Sequence, residues 1–90
     1  MILDLLLQNQ QKKEEIRSKM LELTQKRGPD SSICPSEVVR ALYEDWRPLM
    51  DTVREVAAEE VENGTIRVTQ KGRDVNVAEV KGTIRLSWSG

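Results

Sequence analysis

Apolar residues recur with two different periods along this chain, and the change of period near Gly64 divides it. Before that point Ile16, Met20 and Leu23 follow the spacing of one helix face. Gly28-Pro29 supplies a stop, so a long first helix is predicted to about Arg27. Ile2 and Leu6 fall on the same face if that helix is continuous, while Leu3 and Leu7 point elsewhere. Residues 1–7 are therefore apolar on more than one side. Between the two apolar clusters, residues 8–15 (QNQQKKEE) are polar all round and separate them by roughly 12 Å along a helix axis. Residues 1–15 read as a helical extension and residues 16–90 as a single domain.

Residues 30–34 read as a loop or a short strand. Pro35 suits the first position of a second helix, with Cys34 or Ser36 as its cap and Val38, Val39 and Leu42 as its apolar stripe. Residues 43–48 make a corner, where Asp45 is placed to cap the next helix. A third helix is predicted from about Arg47 to Asn63, with Leu49, Met50, Val53, Val56, Ala57 and Val61 on its inner arc. Asn63-Gly64 ends it.

Beyond Gly64 the period is two. Ile66 and Val68 alternate with Arg67 and Thr69, and Ile84, Leu86 and Trp88 alternate with Arg85 and Ser87. The two strands echo each other, GTIRV from Gly64 and GTIRL from Gly82. Two copies are too few for a solenoid, so the echo reads as the legs of one hairpin. Setting Val68 opposite Ile84 would place Arg67 directly opposite Arg85, and like charges across a pair are unfavourable. The predicted register is shifted by two: Ile66 by Trp88, Arg67 by Ser87, Val68 by Leu86. The intervening residues 71–82 look too long for a tight turn. Three helices followed by a two-stranded wing is the order of a winged helix-turn-helix domain, an α+β fold. The alternative is a generic α+β domain with the hairpin packed elsewhere.

Composition narrows the chemistry. The chain has 90 residues, one cysteine and no histidine, so it has no internal disulfide, no Cys/His metal site and no Ser-His or Cys-His nucleophile pair. No phosphate-cradling glycine loop or defined carboxylate pair stands out, so no enzyme, cofactor or metal is expected. Asp4 interrupts the apolar start, which lacks a basic leader and is too short to span a membrane; a cytoplasmic protein is the default expectation. The net charge of −1 is unevenly spread, with an acidic middle at −5 over residues 31–64 and a basic tail at +3 over residues 65–90.

Three segments, ICPSEVVRAL (residues 33–42), WRPLM (residues 46–50) and IRVTQKGRDV (residues 66–75), resemble a family of small bacterial domains of unknown function with a winged-helix-like fold. The resemblance covers roughly residues 16–86. It implies a fold and carries no activity or catalytic residues. Family members often have a more basic or alanine-rich third helix, and this chain departs there with Glu55, Glu59, Glu60 and Glu62.

That departure bears on nucleic-acid binding. In the standard docking the third helix enters the major groove and the wing touches the backbone. Here the outward face of that helix carries Asp51, Glu55, Ala58, Glu59 and Glu62, and phosphates repel it. Arg47, Arg54, Lys71, Arg73 and Lys81 are the candidate phosphate contacts. The same wing charges, with Arg67 and Arg85, also read as a solvated hairpin protected from edge pairing. Glu60 falls inside the apolar arc and needs a partner, such as Arg40 or Arg67. Cys34 reads as a small buried apolar residue, and Trp46 and Trp88 as core anchors. The best partner site is Ile2, Leu3, Leu6 and Leu7, which would fold back, pair with a second copy or dock on another protein. The expected function is that of a non-enzymatic interaction module, dimeric in one form. The alternative is a DNA-binding regulator that contacts phosphates through its wing.

Overall fold

The computed structural model describes the backbone from residue 2 to residue 90 and the side chains from residue 10 onward. The chain forms helix α1 (Ile2–Arg27), helix α2 (Pro35–Arg40), a 3-10 turn (Arg47–Leu49) and helix α3 (Met50–Asn63). Strands β1 (Ile66–Gln70), β2 (Arg73–Asp74) and β3 (Arg85–Trp88) follow. It is an α+β fold of three helices and a small antiparallel sheet of three strands, in the order β2-β1-β3.

Each helix ends for a local reason. At Gly28 the backbone turns left-handed (φ +83°), and its amide closes the last turn of α1 on the Thr24 carbonyl. Helix α2 starts at Pro35, and the Glu37 carboxylate reaches back to accept the Cys34 amide at 3.0 Å. No side chain caps the 3-10 turn or α3, so Asp45 does not take the capping role expected of it. The 3-10 turn makes a side-chain cap unnecessary, because it leads directly into α3. At its other end α3 closes in a Schellman motif: Gly64 adopts φ +79°, its amide donates to the Val61 carbonyl, and the Thr65 amide donates to the Glu60 carbonyl.

The sheet has the register expected of it, with Ile66 opposite Trp88, Arg67 opposite Ser87 and Val68 opposite Leu86. It is not a simple two-stranded wing. Lys71 (φ 53°) and Gly72 (φ 80°) form a two-residue turn with both φ angles positive, which folds β2 back on β1. A tight hairpin thus lies inside the stretch read as one long loop. On the other side, Ile33 bridges Leu86 through two backbone hydrogen bonds of 2.8 and 2.9 Å. Residues 30–34, read as a loop or a short strand, therefore contribute an edge bridge to the sheet.

The core lies between the helices and one face of the sheet. Ile16 and Met20 of α1, Val38 and Val39 of α2, Val53, Val56 and Ala57 of α3, and Ile66, Val68, Ile84 and Leu86 from the sheet region are buried in one cluster with Ile33 and Val77. Thr24 is also buried; its hydroxyl donates to the Met20 carbonyl at 2.8 Å, so it enters the core without an unsatisfied group. Leu23, Leu42, Leu49 and Met50 are half-buried and pack against this cluster. Val61, expected on the inner arc, is 39% exposed, whereas Glu60 is 3% exposed. The helical period explains the exchange: Glu60 is seven residues from Val53 and continues its row, while Val61 is turned about 100° further. Trp46 and Trp88, expected to be buried anchors, are only half-buried.

Candidate functional site

Three surfaces carry chemistry: the face of α3 shared with α1, the basic turn of the sheet, and the start of α1. The first is built from two pairs at i, i+4 spacing. Lys13 and Arg17 stand on one side of α1 beside its buried Ile16–Met20 row. Glu55 and Glu59 stand on the facing side of α3. The Lys13 ammonium lies 3.2 Å from Glu55 and 2.7 Å from Glu59. The Arg17 guanidinium spans Glu59 at 2.6 Å and Glu60 at 2.7 Å.

Glu60 is the buried member of this network. Its carboxylate also accepts a hydrogen bond from the Thr65 hydroxyl, which in addition donates to the Glu60 carbonyl at 3.0 Å. Burial pushes the Glu60 carboxyl up, but hydrogen bonds from Thr65 and Arg17 and the charge of Arg17 outweigh it, so the group stays below its ordinary range. Glu59 is held low by its hydrogen bonds to Lys13 and Arg17. Glu60 is thus a charge fixed in place, with Arg17 and Thr65 as partners in place of the expected Arg40 or Arg67. Arg67 instead pairs with Asp74 at 3.1 Å, and Arg40 lies over the Trp46 ring at 5.7 Å.

This network changes the outward face of α3. Glu55 and Glu59 are neutralised from α1, which leaves Asp51 and Glu62 without an ion-pair partner among the described residues. A groove of about 440 Å³ lies between this face and residues 77–78, lined by Asp51, Glu55, Ala58, Glu62, Val77 and Ala78. Midway along α1, between Lys13 and Arg17 in sequence, Glu15 accepts a hydrogen bond from the Tyr43 hydroxyl. Burial and that carboxylate push the phenol up to about 12.

The candidate phosphate contacts separate into two groups. Arg54 is half-buried and committed to the fold, donating to the Val80 carbonyl at 2.8 Å and the Gly82 carbonyl at 3.2 Å. Gln70 pins the same loop through the Lys81 and Thr83 carbonyls. Arg47 is exposed, with its guanidinium 4.8 Å from the centre of the Trp46 ring. Lys71, Arg73 and Lys81 are exposed, and among the described residues none has an ion-pair partner. Among the described residues, Lys71, Arg73 and Lys81 are therefore left without a carboxylate partner, while Arg54 is taken up by the fold. Arg85 donates to the Ser32 hydroxyl at 3.0 Å and the Ser32 carbonyl at 3.1 Å, which ties β3 to the segment before α2.

Ile2, Leu3, Leu6 and Leu7 lie in the backbone range of α1, and their side chains fall outside the described residues. Gln10, Gln11 and Lys12 are all exposed, and Lys13 is the first described residue of α1 that is ion-paired to α3. Cys34 is half-buried beside the Ser36 hydroxyl at 3.2 Å. Among the described residues no group of His, Cys, Asp and Glu is arranged to hold a metal, and no helix is long and apolar enough to cross a membrane.

Lys13 and Arg17 are the residues that sequence reasoning missed. Their i, i+4 spacing matches that of Glu55 and Glu59, and this complementarity was the available signal.

The chain belongs to a protein family of unknown function (DUF3253), whose model matches residues 13–89. No curated protein matches it. The matched segment begins where α1 meets α3 and leaves the first turns of α1 outside it.

Proposed function

We propose that this chain is a non-enzymatic interaction module of winged-helix architecture that associates with protein, first of all a second copy of itself, through the apolar start of α1. The winged-helix reading is supported by the element order and by the Ile33–Leu86 bridge, which joins the segment between α1 and α2 to the sheet. One observation carries the interaction reading. Helix α1 begins at Ile2, well before the matched domain at residue 13, and places Ile2, Leu3, Leu5, Leu6 and Leu7 beyond a wholly exposed stretch at residues 10–12. A run of apolar residues that precedes the matched domain is best satisfied by another surface. The test is the oligomeric state of a chain starting at Gln8, measured by light scattering after size exclusion. Its domain core, which begins at Ile16, is kept, so its melting stays cooperative while its mass falls to that of a monomer. An unchanged mass relative to the full chain rejects the reading.

A second reading has its own observation. Lys71, Arg73 and Lys81 are exposed cations at the turn and loop of the sheet, free of carboxylate partners among the described residues, and they suit phosphates of duplex DNA. Docking by α3 itself is opposed by Asp51 and Glu62 and by the engagement of Arg54. With three phosphate contacts, affinity for a duplex falls about 40-fold between about 50 and about 200 mM salt. Replacing Lys71, Arg73 and Lys81 together by alanine removes that dependence. An absence of duplex retardation at low salt ends this reading.

A further inference from the structure

We propose that the groove between α3 and residues 77–78 is a docking site for a basic amphipathic helix of a partner protein. One wall is a straight row on α3. Asp51, Glu55, Ala58 and Glu62 follow at i, i+4, i+7 and i+11, the spacing of a single helix face. Only a methyl group fills the row between Glu55 and Glu62, which makes room for the groove of about 440 Å³. The opposite wall is fixed before any partner arrives. The Asn76 carbonyl accepts the Glu79 and Val80 amides, each at 3.0 Å, and the Asn76 side chain accepts the Ala78 amide at 3.0 Å, so residues 76–80 form a closed turn. Arg54 ties this turn to α3 through the Val80 and Gly82 carbonyls. Val77 is buried and closes the base, Ala58 is half-buried, and Asp51, Glu55, Glu62 and Ala78 are exposed. The accessible lining is thus small and apolar at its centre and acidic along its rim. A preformed cleft binds without the cost of ordering its walls.

Charge selects the occupant. The lining holds the carboxylates of Asp51, Glu55, Glu59 and Glu62 against a single cation, Arg54, which is turned to the loop carbonyls. Lys13 and Arg17 offset Glu55 and Glu59 from the α1 side. Asp51 and Glu62 remain, one at each end of the row and roughly 16 Å apart along the helix axis, without an ion-pair partner among the described residues. A nucleic acid or an acidic peptide is repelled by this rim, and a purely apolar segment leaves both end charges uncompensated. A helix of about three turns matches the length. Cations at its i and i+11 positions meet Asp51 and Glu62 together. Aliphatic residues at i+4 and i+7 then cover Ala58 in either chain direction, because Ala58 is seven residues from Asp51 and four from Glu62. This is helix-in-groove recognition with charge fixing the register. Among the described residues none from α1 lines the groove, so the site stands apart from self-association through the start of that helix.

The probe is a capped helical peptide of alanine and glutamine carrying lysines at i and i+11 and leucines at i+4 and i+7, titrated into the full chain labelled with nitrogen-15. The expected result is a saturable shift of the Ala58, Glu62 and Ala78 amides. Replacing both lysines of the peptide by glutamate is expected to weaken binding by about tenfold or more. The variant Asp51→Lys/Glu62→Lys, changed only at exposed side chains, is expected to reverse the preference and bind the glutamate peptide better. The proposal is overturned if the groove amides do not respond to the lysine peptide, if the wild-type chain binds both peptides equally well, or if the variant keeps the wild-type preference. It is also overturned if these amides shift with protein concentration in the absence of peptide, because the occupant is then a second copy.

Discussion

Replacing Arg17 by methionine is expected to destabilise the domain by about 3–5 kcal/mol. The loss arises on α3 more than on α1. Arg17 holds the carboxylate of Glu60, whose side chain is only 4% exposed, and without it that charge stays buried with only the uncharged Thr65 and Asn63 side chains to stabilise it. The measurement is chemical denaturation at neutral pH, compared with the double variant Arg17→Met/Glu60→Leu. Removing both charges at once leaves a leucine beside Val56 and Ala57, and recovers most or all of the loss, because a buried ion pair is often replaced by apolar residues without cost. A single variant as stable as wild type would show that Glu60 is not held as a buried charge.

The same network predicts a pH dependence. Glu59 and Glu60 have carboxyl groups held below their ordinary range in the folded chain. Their stabilisation is complete above the pKa of the unfolded carboxyls and is lost as pH falls through the lower folded values. Arg17→Met leaves Glu60 dominated by burial, which opposes the charged form. The difference in stability between wild type and this variant is therefore largest near neutrality and narrows in acid.

Leu86→Ala is expected to cost about 2–5 kcal/mol. Leu86 is fully buried on β3, flanked by Val68 on β1 and by Ile33, to which it is bonded through its backbone. Neighbours on both sides are fixed by pairing, so the cavity left by truncation cannot readily collapse. For a domain of this size each kcal/mol moves the melting temperature by roughly 4–8 °C, which makes thermal unfolding a sufficient readout. Val61→Ala is the matching control. With that side chain partly in solvent, the change is expected to stay within about 0.5 kcal/mol. Equal losses at the two positions would contradict the packing described for α3 and the sheet.

These residues show where sequence reasoning succeeds and where it stops. The end of α1 near Arg27, the start of α2 at Pro35 and the Gly64 cap follow from local chemistry, and all were legible. The pairing of Ile66 with Trp88 was legible for a different reason, since the competing register set Arg67 against Arg85. The hairpin at Lys71 and Gly72 was missed because its return strand is only two residues long and carries no apolar alternation. Val61 and Glu60 were harder. Composition favours burying the valine, and only the angular position on α3 reverses that preference.

Of the candidate sites, Lys71, Arg73 and Lys81 were legible as exposed charges, yet Arg54 could not be told apart from them without the loop that it anchors. The partners of Glu60 were equally hidden, because Arg17 lies 43 residues away and reaches it only through the packing of α1 on α3. What the order of residues determined by itself is local: helix and strand periods, caps, the change of period at Gly64, and a register constrained by like charge. The strand count, the identity of each ion pair and the engagement of Arg54 by the Val80 and Gly82 carbonyls were decided only in the folded chain. Each depends on segments distant in sequence meeting at hydrogen-bond distance, and that proximity is set by the shared core rather than by any local preference.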